Sequence, residues 1–492
     1  MKKSICLLLT ICLIAGAVCA LVSCGSNPLD KASKNADNYT IVATYDDEAH
    51  ILTATQTVEV TNRSENSFTA IKFHIYANAY REDAETAVVP ATYSIKAYPN
   101  GKSYGDITFD YVKANDKAVA YTIEGQDLDI LSVPVDELFP NQKVTIEMTY
   151  QIQLANIMHR LGYTDNTVNL GNFYPVLCQV ENGAYATTPY YNIGDPYVTN
   201  VANFNVTLTA PQDYVVASSG NLVDASQTDN NATYKYEAQA LREFAMVLST
   251  KYKKLSQQMG DVQVNYYYYN DENAEQSLAT AVGMLGYLDK TVGAYPYKQY
   301  TVCETDFCYG GMEYGALAMV TSGSQAYTEA IAHETAHQWF YGIVGNNQIN
   351  NAWMDEGLAD WMTYMYLDSI GAQPVDNSVK AITMQYVSYV DVLNHYYDNI
   401  DTSFRTLADY KNDSEYVMFT YVKGSLLFGT VYELMGANKF GKALQTYYND
   451  AMFGIATEQT LINAFTQVGG TELGKIFTDY IDGKEIVAEI IE

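Results

Sequence analysis

The segment His333-Glu334-Thr335-Ala336-His337 holds the residue types that metal-assisted hydrolysis needs, at a spacing that a helix turns into a site. Residues four apart on an α-helix lie about 40° apart around its axis, so both imidazoles reach one divalent ion. Glu334 sits one position on from His333, off that line, where it takes a proton from a water attacking a carbonyl without being a ligand itself. A catalytic site of this kind takes a third ligand from another element and keeps its fourth position open. Glu356 stands 19 residues after His337, early in the next helical pattern, within Trp353-Met354-Asp355-Glu356-Gly357-Leu358-Ala359-Asp360. Asp360, one turn later, is placed to accept an N–H from His333 and fix its tautomer; a surface or capping carboxylate is the alternative. The remaining histidines, His50, His74, His159 and His395, carry no ligand spacing.

Two helices must carry these residues. The pattern predicts one over about Glu329 to Ile343 and another over about Met354 to Ser369, closed by Gly371, with Gly345-Asn346-Asn347 turning the chain back between them. Leu278, Val282, Leu285, Leu288 and Val292 recur at helical spacing until Gly293 and Pro296, and Val422 to Met435 and Leu461 to Val468 also read as helices. A small strand component falls near Tyr300 to Val320. Before residue 250 the period is two, as in Thr40-Ile41-Val42-Ala43-Thr44-Tyr45 and Lys143-Val144-Thr145-Ile146-Glu147-Met148, with turn signals such as Asn100-Gly101 and Ser219-Gly220. Many short strands with that punctuation predict an N-terminal antiparallel β-sandwich, or saddle, over 39–250, followed by an α+β half over 251–492.

Three motifs carry a family resemblance. His-Glu-x-x-His with eighteen residues before the next Glu is similar to the gluzincin metallopeptidases, specifically the aminopeptidase N and leukotriene hydrolase family. Gly310-Gly311-Met312-Glu313-Tyr314 resembles that family's Gly-x-Met-Glu-Asn, with Tyr314 in place of asparagine. Tyr416-Val417-Met418-Phe419-Thr420-Tyr421-Val422-Lys423-Gly424 resembles its Tyr-x-x-x-x-Tyr-Glu-Lys-Gly. Softer likenesses to the family's saddle lie in Phe73-His74-Ile75-Tyr76-Ala77-Asn78 and Asn172-Phe173-Tyr174-Pro175. The resemblance implies a thermolysin-like zinc peptidase domain with one Zn2+ on His333, His337 and Glu356, and Glu334 as general base. It implies that Tyr421 stabilises the oxyanion, that backbone at Gly310, Gly311 and Met312 grips the peptide, and that Glu313 binds its free α-amine. No upstream segment for a second amine contact is found, and Glu181 is the nearest acid after the Tyr174-Pro175 stretch. The chain from Thr457 to Glu492 finishes the zinc domain without the family's further helical domain, which implies an open groove. The implied activity is a zinc-dependent aminopeptidase acting on peptides. The alternatives are a zinc endopeptidase and a surface peptide-binding lipoprotein on an inactive peptidase scaffold.

The first residues are an address. Lys2 and Lys3 precede an uncharged apolar run from Ile5 to Val22, and Leu21-Val22-Ser23-Cys24 resembles the bacterial lipoprotein signal. Residues 1–23 are then a signal peptide, lipidated Cys24 a membrane anchor, and 24–38 a flexible tether; an uncleaved anchor is the alternative. The expected location is the extracytoplasmic face of a bacterial cell membrane. Of seven cysteines, Cys178, Cys303 and Cys308 remain in the folded part, too few for a disulfide scaffold, and buried free thiols are expected. A chain of 492 residues with 57 acidic against 28 basic side chains repels phosphate backbones, which argues against nucleic acid as a partner.

Overall fold

The period-two alternation becomes the pleat of an eight-stranded sheet. Strand Asp37–Asp46 buries every second side chain, from Asp37 to Tyr45, and strand Lys143–Gln153 does the same from Val144 to Ile152. Across the sheet the strands run 221–227, 231–241, 202–211, 37–46, 51–61, 143–153, 106–114 and 117–118. All neighbours are antiparallel except 37–46 with 202–211, which run parallel from Asp37 opposite Ala202 to Thr44 opposite Thr209. The expected antiparallel sheet is therefore mixed at one pair, which the long intervening chain permits and a hairpin would not. Two four-stranded sheets and a two-stranded pair, 180–181 with 184–185, complete this β-rich domain among the described residues. This computed structural model describes residues 27–484, apart from 322, 324–326 and 398–399; the signal 1–23 and Cys24 lie outside the described residues.

Part of the expected tether folds. Pro28–Asn35 is a helix with Pro28 at its start and Asn27 as N-cap, accepting from Leu29 N at 3.1 Å. Asn203 Nδ2 donates to Ser33 O at 2.8 Å and holds the helix to the sheet.

The second half is built on a five-stranded sheet in the order 253–259, 262–268, 299–305, 317–321 and 311–312. Its three middle strands are parallel, and Gln299–Thr305 and Leu317–Thr321 are buried at every residue, as a sheet covered on both faces requires. Helix Ala274–Thr291 makes the crossover between 262–268 and 299–305. The short strand Gly311–Met312 pairs antiparallel with 317–321 and leaves its other side as the sheet edge.

The two helices expected to carry the chemistry span Tyr327–Ala336 and Trp353–Ser369. The first stops seven residues short of Ile343. After Ala336 the chain widens, with Ile343 N bonded to Gln338 O and Val344 N to Trp339 O. The cause is tertiary: buried Arg242, from the β-rich domain, gives Nε to Tyr341 O at 2.8 Å and Nη2 to Gly454 O at 2.8 Å, and Tyr341 is held at φ 132°. Five further helices of more than eight residues, Val375–Tyr396, Lys423–Met435, Ala437–Ala451, Glu458–Gly469 and Leu473–Ile481, complete the helical layer among the described residues. Cys178, Cys303 and Cys308 are buried and free. Among the described residues no helix is long and apolar enough to cross a membrane.

Candidate active site

His333 lies on helix Tyr327–Ala336, His337 just past its end, and Glu356 in the first turn of Trp353–Ser369. Their donor atoms form a small triangle: Nε2 to Nε2 is 3.0 Å, and each Nε2 is 3.1 Å from Glu356 Oε2. The Nδ1 atoms face acceptors on the far side, Asp360 Oδ1 at 2.8 Å from His333 and Phe340 O at 3.0 Å from His337. With N–H on each Nδ1, both Nε2 atoms and the carboxylate point lone pairs at one spot. Such a convergence calls for positive charge. Burial would raise the Glu356 carboxyl, but His337 and His333 outweigh it and hold it well below the usual carboxylate range. Burial would lower His337, but Glu356 and Glu313 outweigh that and lift it to about 10. Two imidazoles and one carboxylate with converging donor atoms fit a single divalent ion of the zinc type.

Glu334, on the same helix as His333, is buried, and burial pushes its carboxyl up to about 7, with His333 and His337 pulling the other way. That is the range in which a general base works near neutral pH. Its approach depends on Gly311: a Cβ built there would sit 2.3 Å from Glu334 Oε1. Gly311 is thus required by the closeness of the carboxylate to the edge strand.

Acidic groups crowd the same volume. Asp195, Glu313 and Glu356 each place an oxygen within 4.8 Å of the other two. Asp195 comes from the β-rich domain, where buried Arg160 pairs with it through Nη2 and gives Nε to Met312 Sδ at 3.1 Å. Glu313 Oε1 accepts from Gln348 Nε2 at 2.9 Å, and the same amide reaches Asp355 Oδ2 at 2.8 Å. Burial and neighbouring Glu356 push Asp355 up to about 7.

Tyr421 lies on a single π-helical turn, Met418–Val422, that feeds into helix Lys423–Met435. One wide turn of this kind re-aims a side chain within an otherwise regular helix. Its hydroxyl donates to Glu356 Oε1 at 2.6 Å and its ring lies nearly parallel to His333, 5.9 Å between centroids. Burial, and then Glu356, push this phenol far above its ordinary value, so it keeps its proton. The segments bearing Glu356 and Tyr421 cross backbone to backbone: a Cβ on Gly357 would be 2.7 Å from Gly424 C, and one on Gly424 would be 3.0 Å from Gly357 Cα.

The structure thus brings together His333, His337, Glu356, Glu334, Asp360, Glu313 and Tyr421. Gly310 is exposed at the mouth of the edge strand, while Met312 turns inward onto Arg160. Tyr314 stays out of this cluster: its hydroxyl donates to Asn172 Oδ1 at 3.0 Å inside the β-rich domain. Glu181 accepts from Asn347 Nδ2 at 3.0 Å, whereas Asp195 is the acid that joins Glu313. Asp195, Arg160, Gln348 and Asp355 were not legible as site residues. Asp195 sits in a Gly194-Asp195-Pro196 turn with no spacing that ties it to the metal helix.

Comparison with known proteins agrees with this geometry. Residues 277–480 match the Peptidase family M1 domain. Aminopeptidase M1-D of Oryza sativa subsp. japonica is 25% identical over 309 residues, 57% of this chain and 34% of that protein. Tricorn protease-interacting factor F2 of Thermoplasma volcanium is 23% identical over 334 residues, 62% of this chain and 42% of that protein. The matched stretch thus spans about a third to two fifths of these relatives' length. The fold is shared with an M1 zinc metallopeptidase from Deinococcus radiodurans, at TM-score 0.64 and 14% identity over 92% of this chain and 94% of that one. His333, His337, Glu356 and Tyr421 all lie inside the matched span, so residues 277–480 carry the Peptidase family M1 domain together with its candidate metal site.

Proposed function

We propose that the protein is a zinc-dependent aminopeptidase that removes N-terminal residues from peptides outside the cytoplasm. The observation that carries this reading is the pair of carboxylates, Glu313 and Asp195, packed beside the metal-binding triangle at the sheet edge. An extended peptide adds to the edge at Gly311–Met312 as a further strand. Its α-ammonium is held between Glu313 and Asp195, which leaves only the first peptide bond within reach of Glu334. Zinc, when bound by His333, His337 and Glu356, supplies Lewis-acid polarisation of the peptide carbonyl and acidifies the attacking water. Glu334 takes the proton from that water and returns it to the leaving amine, and Tyr421 donates its hydroxyl to the developing oxyanion. The relative from Deinococcus radiodurans has been solved with a bound Tyr-Ser-Ala substrate, which supports a peptide as the ligand class.

A peptide and its N-acetylated twin test the reading, each incubated with and without a chelator. The free peptide should lose its first residue only in the absence of chelator, and the acetylated one should resist. Equal cleavage of both would replace the aminopeptidase by an endopeptidase, and cleavage of neither would favour a peptide-binding scaffold.

We further infer export and anchoring by a lipid on Cys24, supported by the charged start, apolar run and Leu21-Val22-Ser23-Cys24 sequence. Cys24→Ser should move the protein from the membrane pellet to the soluble fraction of cells expressing the full chain. Retention of the variant in the pellet would point to an uncleaved helix as the anchor.

A further inference from the structure

The carboxylate of Glu313 has to stand at a fixed distance from the metal-binding triangle, and two glutamine amides set that distance. Gln338, directly after His337, clamps the loop that leaves strand Gly311–Met312 at Glu313. Its Oε1 accepts from Ala316 N at 2.7 Å and its Nε2 donates to Tyr314 O at 3.3 Å. Pairing of Met312 with Met319 fixes the other side of the motif. The backbone at Glu313 is therefore locked to the segment that carries His337, and only the side-chain torsions remain to be set.

Gln348 sets them. It lies on the short helix Gln348–Asn351, between the two metal-binding segments, and is buried. Its two N–H groups are divided between Glu313 Oε1 at 2.9 Å and Asp355 Oδ2 at 2.8 Å, while Asn346 Nδ2 holds Asp355 Oδ1 at 2.7 Å. Glu313 and Asp355 each bring an oxygen within 4.8 Å of His337 and of one another, so two carboxylates share one buried corner. Like charges that close repel unless a donor lies between them. Gln348 Oε1 has no hydrogen-bond partner among the described residues, which leaves the amide committed to these two acids through nitrogen alone.

We propose that Gln348 is a positioning residue: by bridging Glu313 to Asp355, the neighbour of Glu356, it holds the amine-reading carboxylate at its working distance from the metal. This rests on the aminopeptidase reading. An ammonium contact is made equally in the ground and transition states, so its loss appears in KM more than in kcat. A hydrogen bond to a charged group is worth roughly a factor of ten to a hundred in binding.

Gln348→Met keeps the length and apolar stem of the side chain and removes the donor. The measurement is kcat and KM for a free-amine peptide, inhibition by a free amino acid, and zinc content. The expected result is a rise of roughly tenfold or more in both KM and the inhibition constant, with zinc stoichiometry retained and kcat falling less than KM rises. Gln348→Asn keeps the amide but is too short to span both acids; it should show the same direction, and it carries the test if the Met variant does not fold. Unchanged KM and inhibition constant in the folded variant, or loss of zinc with kcat falling at constant KM, would overturn the proposal by making Gln348 a prop for Glu356. Failure of the underlying reading is seen separately, because it shows in the unmodified protein as equal cleavage of free and acetylated peptides.

Discussion

Glu334→Gln should lower kcat by roughly 10²–10⁴-fold while leaving zinc binding intact. The substitution preserves the shape that rests against Gly311, where a Cβ would already be 2.3 Å from Oε1, so the edge strand need not move. It also leaves the metal triangle alone, because the donor atoms are those of His333, His337 and Glu356. What it removes is the ability to accept a proton. The pH dependence carries the same signature. Burial raises the Glu334 carboxyl to about 7, and His333 and His337 oppose the rise. The base form is the ionised one, so activity is present above the carboxyl pKa and lost as pH falls through it. A bound cation pulls that value down, which puts the acid limb of kcat/KM at or below about pH 7. The residual activity of the Gln variant should lack that limb. Undiminished turnover in the variant, or an acid limb that persists in it, would assign the base elsewhere.

Tyr421→Phe should cost roughly 10²–10³-fold in kcat with little change in KM. Phenylalanine keeps the ring that lies over His333 at 5.9 Å, so what is lost is one O–H. That hydroxyl is a donor throughout the working pH range, because burial and the adjacent Glu356 keep the phenol protonated. In the structure it donates to Glu356 Oε1 at 2.6 Å. Stabilising the oxyanion therefore means exchanging one negative acceptor for another as charge develops, a gain confined to the transition state. Should the Phe variant instead lose zinc at concentrations where the parent retains it, the hydroxyl would be serving Glu356 and not the substrate.

The parts of this site that lie on one helix were legible in the sequence, because i to i+4 spacing is a statement about geometry. His333, Glu334 and His337 needed nothing more, and Glu356, on the next helical pattern, was reached by its distance of 19 residues after His337. The strands of the β-rich domain were legible for the same reason, since burial of alternate residues in Asp37–Asp46 is written as alternation. What escaped depends on contacts between distant segments. Asp195 and Arg160 belong to the other domain, and no local pattern marks a loop acid that reaches the metal corner. The helix carrying His333 ended at Ala336 and not near Ile343 because Arg242, nearly a hundred residues away, captures the carbonyl of Tyr341. Tyr314 departs from the family pattern because it serves the interior: its hydroxyl is fitted over Gly171 and bonded to Asn172. The helix at Pro28–Asn35 was masked by its polar composition, and it forms through a cap and a proline instead of an apolar face.

The contact of Gly357 with Gly424 bears on when the site is organised. Two backbones that touch with no side chain between them cannot slide by a rotamer change; they move only if the helices separate. Glu356 and Tyr421 ride on either side of that contact, so the spacing between a metal ligand and the oxyanion donor is decided when the chain folds, before any peptide arrives. On the proposed reading, that spacing needs no closure of one half on the other to be set. On the same reading, an incoming peptide meets a ligand and a donor already in register, and the Tyr421 hydroxyl is the group that changes partner.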